Sequence, residues 1–295
     1  MTNLTWTRRR RAAAATWRAF RRDRRGMIGL CILVIFTMAA LLSYVVVEPT
    51  DLDPALAPGL PTQSPTVTPP LGTDQFGRAL LDLLLVGTRV SLTVGIAATL
   101  GAVLLGAAMG ILAGFYAGRP LGSVLTALTD WFLVIPWLVL AIVLAAILGP
   151  TLLNVIIVIA VTSWALTARL VRAQTLAIRE QPYIERARAL GASNARLLTR
   201  HILPEVAPVI TAQGVLTVAV AILSETTLAL LGLGDPNSMS WGRIIEEAFR
   251  AGAMSNGYWW WILPPGICVV LVTLAFSLVG YALEEILDPR LRGAR

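Results

Sequence analysis

From Arg89 to Tyr116 the chain reads RVSLTVGIAATLGAVLLGAAMGILAGFY, and after Arg89 no side chain in that stretch is charged. A run of about 20 apolar residues is the helical length that crosses a bilayer's hydrocarbon. A helix half-buried on a soluble core would show a polar face, and this one has none. The stretch therefore predicts a membrane span. Leu121–Leu148 and Leu152–Val171 read the same way. They are set apart by Ala117-Gly118-Arg119-Pro120 and by Gly149-Pro150, both turn signals. Upstream lies Met27–Val47, and downstream lie Val206–Leu231 and Trp259–Leu283. The expected fold is an all-α integral membrane protein of six transmembrane helices with both termini on one side.

The totals agree. Of 295 residues, 56% are hydrophobic and 14% charged, against about 25% charged in soluble domains. The formal net charge is +7, and all 24 basic residues are Arg. They cluster between the apolar blocks, which reads as a topology signal and not as a nucleic-acid surface. Cys31 and Cys268 lie inside apolar blocks with no metal spacing, and His201 is the single histidine. No metal site is expected.

Residues 1–26 form an Arg-rich segment in which Trp6, Trp17 and Phe20 suggest a short amphipathic helix in the headgroup region. The following block, 27–47, is too long for a signal peptide and lacks a small-residue cleavage site, so it reads as a retained first span. Residues 48–88 are a Pro-rich external loop. Residues 89–287 hold the five further spans, with a polar loop at 172–204, and 288–295 are a tail. Residues 1–26, the 117–120 turn, 169–200 and the tail together carry twenty arginines. Arg78, Arg89, Arg243 and Arg250 fall on the other side. The positive-inside rule places the twenty in the cytoplasm, hence both termini. Trp241 and Trp259-Trp260-Trp261 then fall at the outer interface, where aromatic belts sit.

Enzymatic chemistry is missing from the chain. A phosphate-cradling GxxxxGKS/T loop needs a lysine, and there is none. One histidine forbids HExxH, and no GxSxG elbow is present. Charge inside the spans is scarce: Asp130 in the third and Glu225 in the fifth. Such residues default to a functional reading, here a translocation path, with an interhelical ion pair or a helix-end hydrogen bond as the plainer role. Thr162, Ser163, Gln213 and Thr217 are further candidates to line a path, as are Thr167 and Ser224; helix-packing hydrogen bonds are the alternative for all of them.

The polar loop carries the most specific signal. Pro182 suits a first helical turn. Tyr183, Ala187, Leu190 and Ala192 alternate with Glu185, Arg186 and Arg188, and Gly191 ends the helix in the manner of a left-handed cap. A second short helix, Asn194 to Ile202, leads to Pro204 and the next span. The product is a rigid helical hairpin.

This loop resembles the EAA motif of binding-protein-dependent ABC importer permeases: Glu185, Ala187, Gly191, Leu203 and Pro204 match, while Arg186 and His201 depart. Leu71-Gly72-Thr73-Asp74 with Gly77-Arg78 resembles the LGTDxxGR segment of the dipeptide, oligopeptide and nickel branch. So do Leu231-Gly232-Leu233-Gly234, Ser240-Trp241-Gly242 and the closing Leu287-Asp288-Pro289-Arg290-Leu291-Arg292. Ala79 stands where that branch commonly has Asp. The likeness covers about residues 18–292 and points to the second, C-type permease, with one N-terminal span before a five-helix type I ABC importer core.

The resemblance implies a transmembrane permease subunit of an ATP-driven importer in the bacterial cytoplasmic membrane, not itself catalytic. Its partners would be a homologous second permease, two ATP-binding domains (separate or fused), an extracytoplasmic substrate-binding protein and membrane lipid. ATP and Mg would sit on the partner subunits, with no cofactor on this chain. Tyr183, Glu185, Arg186, Ala187, Leu190, Gly191, Ala192 and Pro204 would couple to the ATPases. Thr73, Asp74, Arg78 and Trp241 would meet the binding protein. The cargo it implies is di- or oligopeptide, with nickel or another small solute as the alternative; a secondary transporter is the rival class.

Overall fold

The computed structural model describes residues 14–66 and 69–287. Arg8–Arg11, Trp6 and the closing segment from Asp288 lie outside these residues. Residues 14–20 are helical, and among the described residues ten α-helices follow: α1 Arg24–Val46, α2 Leu80–Phe115, α3 Pro120–Val134, α4 Trp137–Leu148, α5 Leu152–Arg179, α6 Pro182–Ala189, α7 Asn194–Leu197, α8 Leu203–Leu230, α9 Trp241–Arg250 and α10 Trp259–Leu287, with a 3-10 turn at Pro49–Leu52 and a π turn at Leu198–Ile202. Among the described residues there is no named strand, only an isolated bridge between Thr73 and Ala79. Five helical stretches are long and apolar enough to cross a membrane, and α3 with α4 is the candidate for a sixth.

That sixth span differs from the sequence expectation. Leu121–Leu148 is not one rod: it stops at Val134 and resumes at Trp137 with a bend of 92°. Pro136 is the cause. It offers no N–H to the helical ladder and pushes the preceding residue out of the α region; Ile135 sits at φ −71°, ψ 128°. A second difference lies at the start of the fifth span. Asn194 to Leu230 runs on as one helical rod, through a π turn at Leu198–Ile202. Pro204, next in line, lacks the N–H that would close the regular ladder, and the widened turn absorbs the mismatch.

α2 spans 36 residues, about 54 Å at 1.5 Å per residue, so it is the long axis on which the other helices pack. Its principal partner is α5. A Cβ on Gly106, Gly110 or Gly114 would lie 2.5–2.7 Å from Trp164 O, Ala168 O or Thr175 Cβ respectively. Three glycines at i, i+4 and i+8 thus let the two backbones meet, which is the way helices bind one another where lipid offers no hydrophobic drive.

α1 crosses α10 in the same manner. Gly26 faces Ala282, and Gly29 faces the Ala275 carbonyl. Phe20 is 4% exposed and packs on Val279 and Ala282. Its ring is thus taken up by α10 and is not turned to lipid. Trp17 is 49% exposed.

Two apolar cores stand at opposite ends of the bundle. At the loop end, Leu80, Leu83, Ile222, Ile244, Trp241 and Trp261 pack together. At the hairpin end, Phe115, Ile178, Ile184, Leu197, Ile202 and Val206 do so. The expected aromatic belt is largely inside the protein: Trp241 and Trp261 are fully buried, Trp260 nearly so, and only Trp259 is exposed. The α9 amphipathic face accounts for this, since it turns Trp241 inward against Phe36, 5.6 Å away edge-on.

Candidate functional site

The hairpin is built from local signals. Gln181 precedes α6, and Pro182 occupies its first turn, where a missing N–H costs nothing. At the other end Gly191 has φ +85°. The amide of Ala192 donates to Ala187 O, and that of Gly191 to Arg188 O, both at 3.0 Å. These two bonds make a Schellman cap, which closes the helix and turns the chain back. Ser193 then caps α7 by accepting from the Arg196 amide at 3.3 Å.

What holds the hairpin against the spans is Ile184, fully buried in the apolar cluster with Phe115 of α2, Ile178 of α5 and Val206 of α8. The sequence reading overlooked it; its spacing from Ala187 (i, i+3) was the available sign. Ala187 and Ala192 are half-buried against the same cluster. Tyr183, Glu185, Arg186, Leu190, Gly191 and Pro204 face outward, and Leu190 is 88% exposed. The Tyr183 ring lies 6.2 Å from His201. Partial burial, and then Glu205, push its hydroxyl pKa above the usual tyrosine range.

Next to the hairpin, Arg179, the last residue of α5, ties that helix to α2. Its guanidinium donates to Phe115 O and Ala117 O and pairs with Glu180 at 3.0 Å. It caps the end of α2. Beneath it a polar cavity of about 330 Å³ is lined by Arg119, Arg179, Arg188, Glu180 and Glu185. The hairpin end thus has an outward acidic and basic surface on a fixed apolar base.

The residues named as path candidates do not gather in one place. Asp130 of α3 pairs with Arg169 of α5 at 2.8 Å. Gln213 lines a different cavity of about 600 Å³ between α8 and α10, with Thr273, Ser277 and Tyr281. Thr162 and Ser163 are half-buried on α5, and Thr162 donates to Val158 O at 2.9 Å. Thr217 is buried and donates to Gln213 O at 2.8 Å. Glu225 is 4% exposed, with the hydroxyls of Ser91 and Ser240 facing its carboxyl group.

The four residues named as external contacts are turned into the protein. Thr73 donates to Leu60 O at 2.5 Å and accepts from the Gln63 amide at 2.8 Å. Asp74 Oδ1 accepts from the amides of Phe76 and Arg78, both at 2.9 Å. Arg78 reaches Asp74 Oδ2 and Glu247 Oε2, each at 2.6 Å. All four, Trp241 included, are 3% exposed or less. Their side chains hold the loop between α1 and α2 over the end of the bundle, and none of the four is presented at the surface. Asp235, which the sequence reading passed over, accepts from the Leu152 amide at 3.1 Å at the start of α5. A carboxylate suits that helix N-terminus. Among the described residues, no three His, Cys, Asp or Glu side chains lie close enough to share a metal ion.

Comparison with known proteins accords with this arrangement. Residues 83–293 match the family described as binding-protein-dependent transport system inner membrane component. Residues 13–65 match the N-terminal TM domain of oligopeptide transport permease C. The dipeptide transport system permease protein DppC of Alkalihalophilus pseudofirmus is 34% identical over 95% of this chain and 92% of its own. DppC of Bacillus subtilis is 32% identical over 94% and 85%. The glutathione transport system permease protein GsiD of Pectobacterium atrosepticum is 32% identical over 94% and 90%. The chain belongs to the family of inner membrane components of binding-protein-dependent transport systems, as a multi-pass permease of the C type.

Proposed function

We propose that this chain is half of the translocation path of an ATP-driven di- or oligopeptide importer in the bacterial cytoplasmic membrane, with both termini and the α6–α7 hairpin on the cytoplasmic side. The observation that carries the reading is the hairpin: a helix opened by Pro182 and closed by the Gly191 cap, seated on three spans through Ile184, with Tyr183, Glu185, Arg186 and Leu190 turned outward. A channel has no use for such a lever. The twenty-to-four division of arginines supports the orientation. The names of the relatives support a peptide cargo.

In this reading a homologous permease completes the path, and two ATP-binding domains receive the hairpin in surface grooves. ATP and Mg are bound there, and this chain makes and breaks no bond. A substrate-binding protein delivers cargo from outside. When the ATPases close, the hairpin moves with them. Because Ile184 seats it on α2, α5 and α8, and Arg179 ties α5 to α2, the displacement passes to the spans as a rigid-body rocking.

The test is affinity purification of the tagged chain from its own membranes in mild detergent, with partners identified by mass spectrometry. A second permease and an ATPase bearing a Walker motif are the expected companions. Recovery of the chain alone, under conditions that keep other membrane complexes whole, would overturn the reading.

A further inference from the structure

Two observations meet on one face of the helical bundle, near the turn between α2 and α3. The first is the Asp130–Arg169 pair, whose side chains keep 53% and 56% of their exposure. Asp130 lies ten residues into α3, and Arg169 lies ten residues before the end of α5, so each is about 15 Å along its helix from the hairpin end. A charge pair with this much exposure near the end of two spans faces a watery cavity or another protein surface, because hydrocarbon penalises it. The second is the break between α3 and α4. It begins one turn beyond Asp130, and Pro136 within it is exposed. Interrupted backbone at membrane depth is tolerated where it is covered by protein or lines a cavity. Neither feature suits lipid, and interrupted helices recur at substrate sites of transporters.

The chemistry of this face is specific. A cavity of about 320 Å³ is lined by Asp130, Arg172, Ser123 and Thr126, together with Gly118 and Gly122. Arg172 follows Arg169 at i+3, on the same side of α5. Arg169 is engaged by Asp130. Arg172 has no ion pair among the described residues, and its buried Nε has no hydrogen-bond partner. Two guanidinium groups against one carboxylate leave one positive charge and an unused planar fork, which matches a carboxylate.

We propose that Asp130, Arg169 and Arg172 form a subsite of the translocation path that receives the terminal carboxylate of a peptide. Arg172 donates to that carboxylate, and Asp130 holds Arg169 beside it. Asp130 also repels the incoming carboxylate, which keeps the subsite weak enough for cargo to leave. The subsite rests on the peptide-importer reading above and deepens it.

The test is uptake by the complete importer in proteoliposomes, with its own binding protein, of trialanine and of trialanine amide. The binding protein's own preference is common to all variants and cancels when their free-to-amide uptake ratios are compared. Arg172→Gln is expected to lower the ratio about ten-fold, the scale of a lost charge-assisted hydrogen bond, with Arg172→Lys intermediate. Asp130→Asn is expected to raise it. These opposite directions distinguish recognition from a merely structural role. If Arg172→Gln does not assemble, Asp130→Asn decides. A ratio equal to wild type in Arg172→Gln, or unchanged or lowered in Asp130→Asn, overturns the subsite alone. No uptake of either peptide by the wild-type importer overturns the peptide reading together with it.

Discussion

The guanidinium of Arg179 donates to the carbonyl oxygens of Phe115 and Ala117 at 3.2 and 2.9 Å. The last carbonyls of a helix have no partner within it, and a cation there also meets the negative end of the helix dipole. One side chain thereby ties the end of α5 to the end of α2, immediately above the hairpin. Loss of these bonds in Arg179→Ala removes about 1.5–3 kcal/mol of local attachment. Uptake per ATP hydrolysed is expected to fall while the amount of protein in the membrane stays constant, and Arg179→Lys is expected to recover part of it. Equal coupling in the alanine variant and the wild type would show that the tie transmits nothing.

Gly191 permits a second test of the lever. A Cβ at this position would meet nothing within 4 Å, yet φ is +85°. The cost of substitution is therefore conformational: about 1–2 kcal/mol for an ordinary side chain in the left-handed region, and more for a β-branched one. Coupling is expected to decline in the order Gly, Asn, Ala, Val, because Asn enters that region more readily. Substrate-stimulated ATPase and uptake are the readouts. Normal values of both in Gly191→Val would falsify the role given to the cap.

At the opposite end, Arg78 is the one cation paired with Asp74 among the described residues, while Glu247 also has Arg243 at 3.2 Å. Arg78→Ala strands a buried carboxylate, at a cost of about 3–5 kcal/mol. A lower midpoint of thermal unfolding in detergent is expected, with faster proteolysis of the external loop. Adding Asp74→Asn to Arg78→Ala should restore much of the loss, and Glu247→Gln little, because only Asp74 is left alone. Equal rescue by both would count against this division.

Glu225 sits between α2 and the start of α9, facing Ser91 and Ser240, and Ser91 accepts from the Trp241 amide at 3.1 Å. Glutamine keeps an acceptor there and fills the same space, so Glu225→Gln should hold thermal stability near wild type. Glu225→Ala leaves a void and unpaired hydroxyls, costing about 2–4 kcal/mol. Equal destabilisation by the two substitutions would remove the hydrogen-bonding role.

Much of the architecture was legible in the residues. The apolar blocks locate the spans because a bilayer core demands a fixed length of uncharged helix. Pro182 and Gly191 bound α6 because each acts through its own backbone. The contact face of α6 was less clear. Tyr183 and Leu190 look apolar enough to be buried, but they are exposed, and Ile184 carries the anchorage. Over eight residues the apolar pattern allows more than one inward face, and the position of α2, α5 and α8 selects it.

By itself, then, the sequence determined what depends on local chemistry and on length: helices, their number to within the α3–α4 pair, the arginine asymmetry and the capped hairpin. The tertiary structure alone decided what depends on neighbours distant in the chain. Trp241 left the expected interface because Phe36 and Leu84 offered a packed pocket. Arg179 found carbonyls more than sixty residues away. Asp130 met Arg169 beside a break whose 92° angle no periodicity contains. Hydrophobic pattern and backbone preference act over a few residues, whereas pairing of charges and closure of helix ends depend on which helices the packing brings together.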